Sequence, residues 1–251
     1  LLGIGLNGAV NGDIADVISW LNALHKPVIS IDVPSGLNAD NGIAEGACVQ
    51  AHCTATFIGL KRGLLTAKAR NYCGDIYVDR LGIPDSTFKA EYHRGRAMSW
   101  SDTHVLMPHV KPASYKHQRG HCLIIGGAAG MGGAVCLAAE SCLRAGAGLV
   151  TAFLHPQHLS ALNVRCPEVM AHGFSDGTAI QNAISHANAI VIGPGLSQAD
   201  WAVAALNLAL ESKKPIILDA DALRIATHHD WDLSHAILTP HPGEAAVLLK
   251  T

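Results

Sequence analysis

Long apolar runs are missing: no stretch reaches the roughly 18–20 residues a membrane helix needs, and the chain does not open on the charged segment of a secretion signal. Charge is scarce too, at 15% of residues with a net charge of -2. A nucleic-acid binder would show a basic stripe, and the one basic cluster, Lys111, Lys116, His117 and Arg119, reads as solvated linker. No C-x-x-C pair occurs among the seven cysteines, an odd count, and Cys136 and Cys142 sit in an alanine-rich helical stretch like small core residues. A reduced, cytoplasmic setting is expected. His228-His229 and His104-His109 lack the helical spacing of zinc sites and read as surface residues. The absence of a G-K-[ST] loop, a G-x-S-x-G elbow and a protein-kinase signature weakens P-loop, hydrolase and protein-kinase readings.

What is present is a core-forming chain: 49% of its 251 residues are apolar, enough for one large or two modest domains. Short runs rich in Val and Ile alternate with helical stretches. Strands are expected at 27–31, 53–58, 75–78, 121–125, 149–153, 189–192, 215–218 and 236–238, and helices at 14–24, 134–145, 201–212 and from Gly243. Continuous apolar runs suit strands buried on both faces, so an α/β architecture with parallel sheets follows. From Pro84 to Gly120 the periodicity lapses. This places one domain at 1–88, a linker at 89–103 and a second domain at 104–251. Leu1-Leu2 reads as the end of a strand and Leu249-Lys250-Thr251 as a helix in its second turn, so the chain is expected to be open at both ends.

Polar motifs follow the strands. Gly3-Ile4-Gly5-Leu6-Asn7-Gly8-Ala9 satisfies G-x-G-x-x-G, in which glycines let backbone approach a pyrophosphate; an ordinary glycine turn explains it equally well. Asp32 ends a strand and is followed by Val33-Pro34-Ser35-Gly36, a sharp turn at the carboxyl edge of the sheet. A carboxylate, a hydroxyl and turn carbonyls make an oxygen-rich pocket suited to a cation or a sugar, against the plainer reading of Asp32 as a turn cap. Further on, Gly126-Gly127 to Gly132-Gly133-Ala134 leads from strand into helix. Such a run leaves N–H groups free for an anion, or merely allows close packing. Gly193-Pro194-Gly195-Leu196 is a turn whose backbone can lie against a flat ligand. Asp219 and Asp221 bring two carboxylates to the edge, with Asp221 expected as a helix N-cap. Pro240 and Pro242 flank His241 and hold its imidazole in one place.

With these motifs in order, the chain resembles the fused NAD(P)H-hydrate epimerase and dehydratase family over nearly its whole length. The second half carries it through Leu123-Ile124-Ile125-Gly126-Gly127, Leu143-Arg144-Ala145-Gly146-Ala147-Gly148, Ile192-Gly193-Pro194-Gly195, Leu218-Asp219-Ala220-Asp221 and Thr239-Pro240-His241-Pro242-Gly243-Glu244. The first half does so through Gly3 to Ala9, Asp32 to Leu37, Lys61-Arg62-Gly63 and Cys73-Gly74. The resemblance implies the C-terminal part of a Rossmann-like epimerase domain followed by the N-terminal part of a ribokinase-like dehydratase domain. It further implies interconversion of R- and S-NADHX or NADPHX, then dehydration driven by ADP or ATP, with Mg2+ expected beside the nucleotide. Carried over by position, Gly3, Ile4, Gly5, Leu6, Asn7, Gly8, Ala9 and the catalytic Asp32 would bind the hydrated nucleotide, Ser35 a potassium ion, and Ala134, Gly195 and His241 the hydrated nucleotide of the dehydratase. The family's potassium-binding Asp would lie before Leu1 and its G-x-G-D turn beyond Thr251, so this segment by itself is expected to be inactive. A homo-oligomer is expected, with no nucleic-acid or membrane partner. Three other readings stay open: an NAD-dependent oxidoreductase on Gly3, Gly5, Gly8 and Asp32, a ribokinase-like small-molecule kinase, and a non-catalytic nucleotide-binding module.

Overall fold

The computed structural model describes residues 1–87, 95, 97–107, 111–174 and 177–250. The surface reading of His109 and part of the expected linker lie outside the described residues. The chain separates into two compact units, Leu1–Met107 and Pro108–Thr251.

The first unit runs α1 (Gly12–Ala23), β1 (Ile29–Ile31), β2 (Cys53–Phe57), α2 (Arg70–Cys73), β3 (Asp75–Asp79) and α3 (Trp100–Thr103). Its three described strands are parallel in the order β1-β2-β3, with Ile31 beside Ala55 and Ala55 beside Tyr77. Val33, Leu37, Leu64, Ala69 and Cys73 form one buried cluster, and Val10, Ile18 and Val49 another. Two expectations fail here. Leu1-Leu2 is not in a strand; its ordering comes from Ser35 instead. And α3 lies inside the stretch read as irregular, because a local capping box between Ser99 and Asp102, rather than apolar periodicity, nucleates it.

The second unit alternates strand and helix throughout: β4 (His121–Ile125), α4 (Gly132–Arg144), β5 (Leu149–Leu154), α5 (Leu159–Arg165), β6 (Met170–Gly173), α6 (Gly177–His186), β7 (Ala189–Ile192), α7 (Asp200–Glu211), β8 (Ile216–Leu218), α8 (Asp221–Ala226), β9 (Ala236–Leu238) and α9 (Pro242–Leu249). All six strands are parallel, in the order β6-β5-β4-β7-β8-β9. Side chains along β4 alternate between two cores. Leu123 and Ile125 pack with Ile190, Leu206 and Leu218, while Cys122 and Ile124 pack with Val135, Ala139, Val150 and Leu162. Each fully buried Leu or Ile stabilises the sandwich by about 1.5–3 kcal/mol.

Burial on both faces, expected of every strand, holds for the interior strands β4 and β5. It fails for β1, β3 and β9, which stand at sheet edges and leave Ile29, Ile31, Tyr77 and Ile237 exposed. An edge strand has a neighbour on one side only, so fewer layers cover it. The strand β6 was not anticipated either. Its Met-Ala-His-Gly sequence has no apolar run, and its place is set by pairing with β5. No described helix is long and apolar enough to cross a membrane.

Candidate functional site

In the second unit β5 and β6 are laid to one side of β4, whereas β7, β8 and β9 extend the other. The winding reverses between β4 and β7, and in an open parallel sheet ligands bind outside the carboxyl ends of the strands at such a reversal. The two glycine motifs are the loops that leave those two strands. They bind each other: the N–H of Gly127 donates to Pro194 O (2.9 Å) and that of Ala128 to Gly195 O (2.7 Å). Glycine is required for this approach, since a Cβ at Gly126 would fall 2.1 Å from Pro194 O. At Gly195 (φ +60) a Cβ would stand 2.8 Å from Met131 O and 3.4 Å from the Ala134 Cβ. Ala134 and Gly195 are thus brought together. Met131, the N-cap of α4, supplies no side-chain hydrogen bond, which leaves first-turn N–H groups available to an anion.

The next two loops join the same edge. Gly193 has φ +129, and a Cβ there would lie 1.7 Å from Asp219 O. Asp219 Oδ1 accepts from the Thr239 hydroxyl (2.8 Å), linking the loops after β8 and β9. Asp221 is not the N-cap of α8. That position belongs to Ala220, whose φ of +46 sets the turn, and Asp221 Oδ2 instead accepts from the Ser197 N–H (2.9 Å) in the loop after β7. Ala220 and Ser197 are non-glycine residues with positive φ, a conformation that costs about 1–3 kcal/mol and persists only where surrounding contacts over-determine it.

His241 is the N-cap of α9, with Pro242 in the first turn. Its Nδ1 accepts from the N–H groups of Gly243 (3.0 Å) and Glu244 (3.4 Å), while its own N–H donates to Glu244 Oε2 (2.9 Å). An accepting Nδ1 puts the ring proton on Nε2. The side chain is 62% exposed and Nε2 lies 3.4 Å from Glu244 Oε1, so a ligand that takes this N–H shares it with, or draws it from, that carboxylate. Strand β8 lies between the strands that carry His241 and Gly195; the three predicted residues share one edge, and the Asp219–Thr239 bond is the link to His241.

In the first unit Asp32 (φ +67) follows β1, and its N–H donates to Ala55 O (2.7 Å). Its Oδ1 accepts from the Thr56 hydroxyl (3.0 Å), the Phe57 N–H (3.2 Å) and the Lys61 ammonium. Burial by itself would raise the carboxyl pKa, but the hydrogen bonds from Lys61, Phe57 and Thr56 outweigh it and hold the group below the usual range. Asp32 is therefore an ionised, anchored carboxylate and not a turn cap. The buried Ser35 hydroxyl accepts from the Leu2 N–H and donates to Leu2 O, both at 3.0 Å. The Gly3–Ala9 loop is tied to the same turn, with Asn38 Nδ2 donating to Leu6 O (3.4 Å). Helix α1 begins only at Gly12, and Cβ atoms at Gly3, Gly5 and Gly8 would meet nothing within 4 Å among the described residues. One face of this loop is open.

Lys61 and Thr56 were missed as site residues by sequence reasoning. A lysine shortly after a strand is a weak signal, and nothing in the sequence pairs it with Asp32. Cys48 and Cys73 belong to the core of the first unit: burial pushes the Cys48 thiol up to about 12 and raises that of Cys73, so both remain protonated. Among the described residues no three His, Cys, Asp or Glu side chains converge as metal ligands.

The family model described as NAD(P)H-hydrate dehydratase matches residues 122–251. The chain belongs to the NAD(P)H-hydrate dehydratase family. A second family model, YjeF-related protein N-terminus, matches residues 1–63. Among curated relatives, the bifunctional NAD(P)H-hydrate repair enzyme Nnr of Coxiella burnetii is 43% identical over 249 residues, covering 99% of this chain and 51% of the relative. The Escherichia coli enzyme of the same name is 38% identical, with 99% and 48% covered. The chain thus spans about half the length of the curated relatives it matches. A ribokinase-like superfamily protein from Enterococcus faecalis aligns with TM-score 0.54 and 30% identity over 57% of this chain and 52% of its own. The ADP/ATP-dependent NAD(P)H-hydrate dehydratase of Bacillus subtilis, co-crystallised with ATP/Mg2+, aligns with TM-score 0.52 and 27% identity over 60% and 54%. The ribokinase-like expectation for the second unit holds.

Proposed function

We propose that the chain is part of a nicotinamide-nucleotide repair enzyme, in which residues 1–88 belong to an epimerase acting on R- and S-NADHX or NADPHX, 89–103 are a linker, and 104–251 belong to a dehydratase that restores NADH or NADPH with ADP or ATP. The observation that carries this reading is the joining of the Gly126–Gly133 loop to Gly193-Pro194-Gly195 at the reversal of the sheet. There a flat dinucleotide can lie on backbone, its phosphates directed at the α4 N-terminus.

Dehydration needs a good leaving group. Transfer of a phosphoryl group from ADP or ATP to the added hydroxyl, followed by loss of inorganic phosphate and a ring proton, regenerates the dihydronicotinamide and leaves AMP or ADP. In this scheme Ala134 and Gly195 shape the surface under the ring, and His241 donates from Nε2. In the epimerase, Gly3, Ile4, Gly5, Leu6, Asn7, Gly8 and Ala9 line the nucleotide, and Asp32, held charged by Lys61, is the proton acceptor. A potassium ion at Ser35 is supported by two oxygens, Ser35 Oγ and Leu2 O, 3.0 Å apart. The hydroxyl proton would turn away from Leu2 for both to face a cation. Mg2+ would accompany the phosphoryl donor, a pairing supported by the Bacillus subtilis dehydratase, which was co-crystallised with ATP and Mg2+ together. A cytoplasmic homo-oligomer completes the proposal.

The test is binding of NADPHX to this chain and, in the full-length protein, recovery of reduced-nicotinamide absorbance from NADPHX. Recovery that depends on ADP or ATP supports repair. Nucleotide-independent hydride transfer to a second substrate would instead establish an oxidoreductase.

A further inference from the structure

We propose that His158 is a positioning residue that braces the glycine loop between β4 and α4, so that the first-turn amides of α4 stay aimed at an anionic group of the ligand; this rests on the reading that the loop receives a dinucleotide. His158 closes the 3-10 turn that follows β5. Its Nε2 receives the Gly130 N–H at 3.1 Å and lies 3.2 Å from Ala128 O. That carbonyl already accepts from the Met131 N–H (2.8 Å). The Gly130 N–H can only donate, so Nε2 is the acceptor in that bond, which puts the ring proton on Nδ1. Gln157 Nε2 stands 3.0 Å from the same nitrogen, a second potential donor.

The same turn holds the loop at its beginning, since the His155 N–H donates to Gly127 O (2.9 Å). The ring also fills the space beside the first residue of α4. A Cβ at Gly132 would come within 2.4 Å of His158 Cγ, so glycine at 132 and an imidazole at 158 are steric counterparts. A loop with this much glycine has high conformational freedom when unbound, and one accepted hydrogen bond at Gly130 removes part of it before the ligand arrives.

The test compares His158→Leu, which removes the acceptor, with His158→Gln, whose side-chain oxygen reaches a similar point. Amide exchange of Gly130 and Ile124 is followed by NMR in the ligand-free chain, and NADPHX binding by calorimetry on the full-length protein. For His158→Leu we expect Gly130 exchange faster and NADPHX binding weaker, each by about three- to tenfold, the worth of one hydrogen bond, with Ile124 unchanged. His158→Gln should restore both. Equal binding by the unaltered chain and His158→Leu, or a Gln variant that behaves like Leu, overturns the proposal. Failure of the unaltered full-length protein to bind NADPHX would refute the dinucleotide reading itself, and the ligand half of this inference with it. If His158→Leu also speeds exchange at Ile124, the core has loosened and the Gln variant decides.

Discussion

Replacing Lys61 by methionine keeps the apolar stem and deletes the charge, which isolates the ion pair with Asp32. The two side chains are 21% and 27% exposed, between a solvent pair, whose median worth is about 0–1 kcal/mol, and a buried one, where loss of a partner costs about 3–5 kcal/mol. A loss of about 1–3 kcal/mol at neutral pH is therefore expected for the first unit. The sign with pH follows from the direction of the shift. Asp32 has a folded pKa below its ordinary value of 3.8, so the pair's stabilisation is complete above that value and drains away as pH falls through the lower folded one. Urea unfolding of the unaltered chain and Lys61→Met, followed on the first unit at neutral pH and in acid, should show a gap that narrows on acidification. What remains in acid is the bond from Lys61 to Phe57 O, found at 2.9 Å and worth about 1 kcal/mol or less. In a double-mutant cycle with Asp32→Asn the coupling should vanish at low pH. A gap under about 0.5 kcal/mol at neutral pH, within the range of ordinary surface changes, or one that acid leaves unaltered, would refute the anchored-carboxylate account.

Other outcomes follow from the same geometry. Gly193→Ala places a Cβ 1.7 Å from Asp219 O at φ +129 and should prevent or gravely weaken folding of the second unit. Gly5→Ala meets nothing within 4 Å and should leave the melting temperature in place while reducing nucleotide binding, as calorimetry and thermal unfolding together can check. His241→Ala removes an N-cap, costing about 0.5–2 kcal/mol; NADPHX affinity should fall, whereas His241→Asn should recover the stability alone. Both ring nitrogens of His235 are sealed from solvent without a hydrogen-bond partner among the described residues, so His235→Leu should raise stability by about 1–3 kcal/mol in denaturant titration.

Much of the fold was legible because its signals are local. An apolar run from Cys122 to Ile125, glycines after it and an alanine-rich stretch beyond specify strand, turn and helix with little help from the rest of the chain. Met170–Gly173 and Gly177–His186 were not legible. The strand has no apolar run, and the helix buries only Ile180 and Ile184 of its ten residues. Likewise Asp32 and Ser35 could be placed at a sheet edge from the Asp32–Gly36 turn, but their partners could not. Thr56 and Lys61 come from the neighbouring strand and the loop beyond it.

The residues by themselves determined that polar and glycine motifs would follow buried parallel strands, since periodicity and turn chemistry act over a few neighbouring positions. Strand order, and with it which motifs meet, was decided only by the tertiary structure. The arrangement β6-β5-β4-β7-β8-β9 sets Gly127 against Pro194, Asp221 against Ser197 and His158 under Gly130. These contacts join residues distant in sequence, and they form because burying both faces of one twisted sheet leaves their backbone groups no better partners.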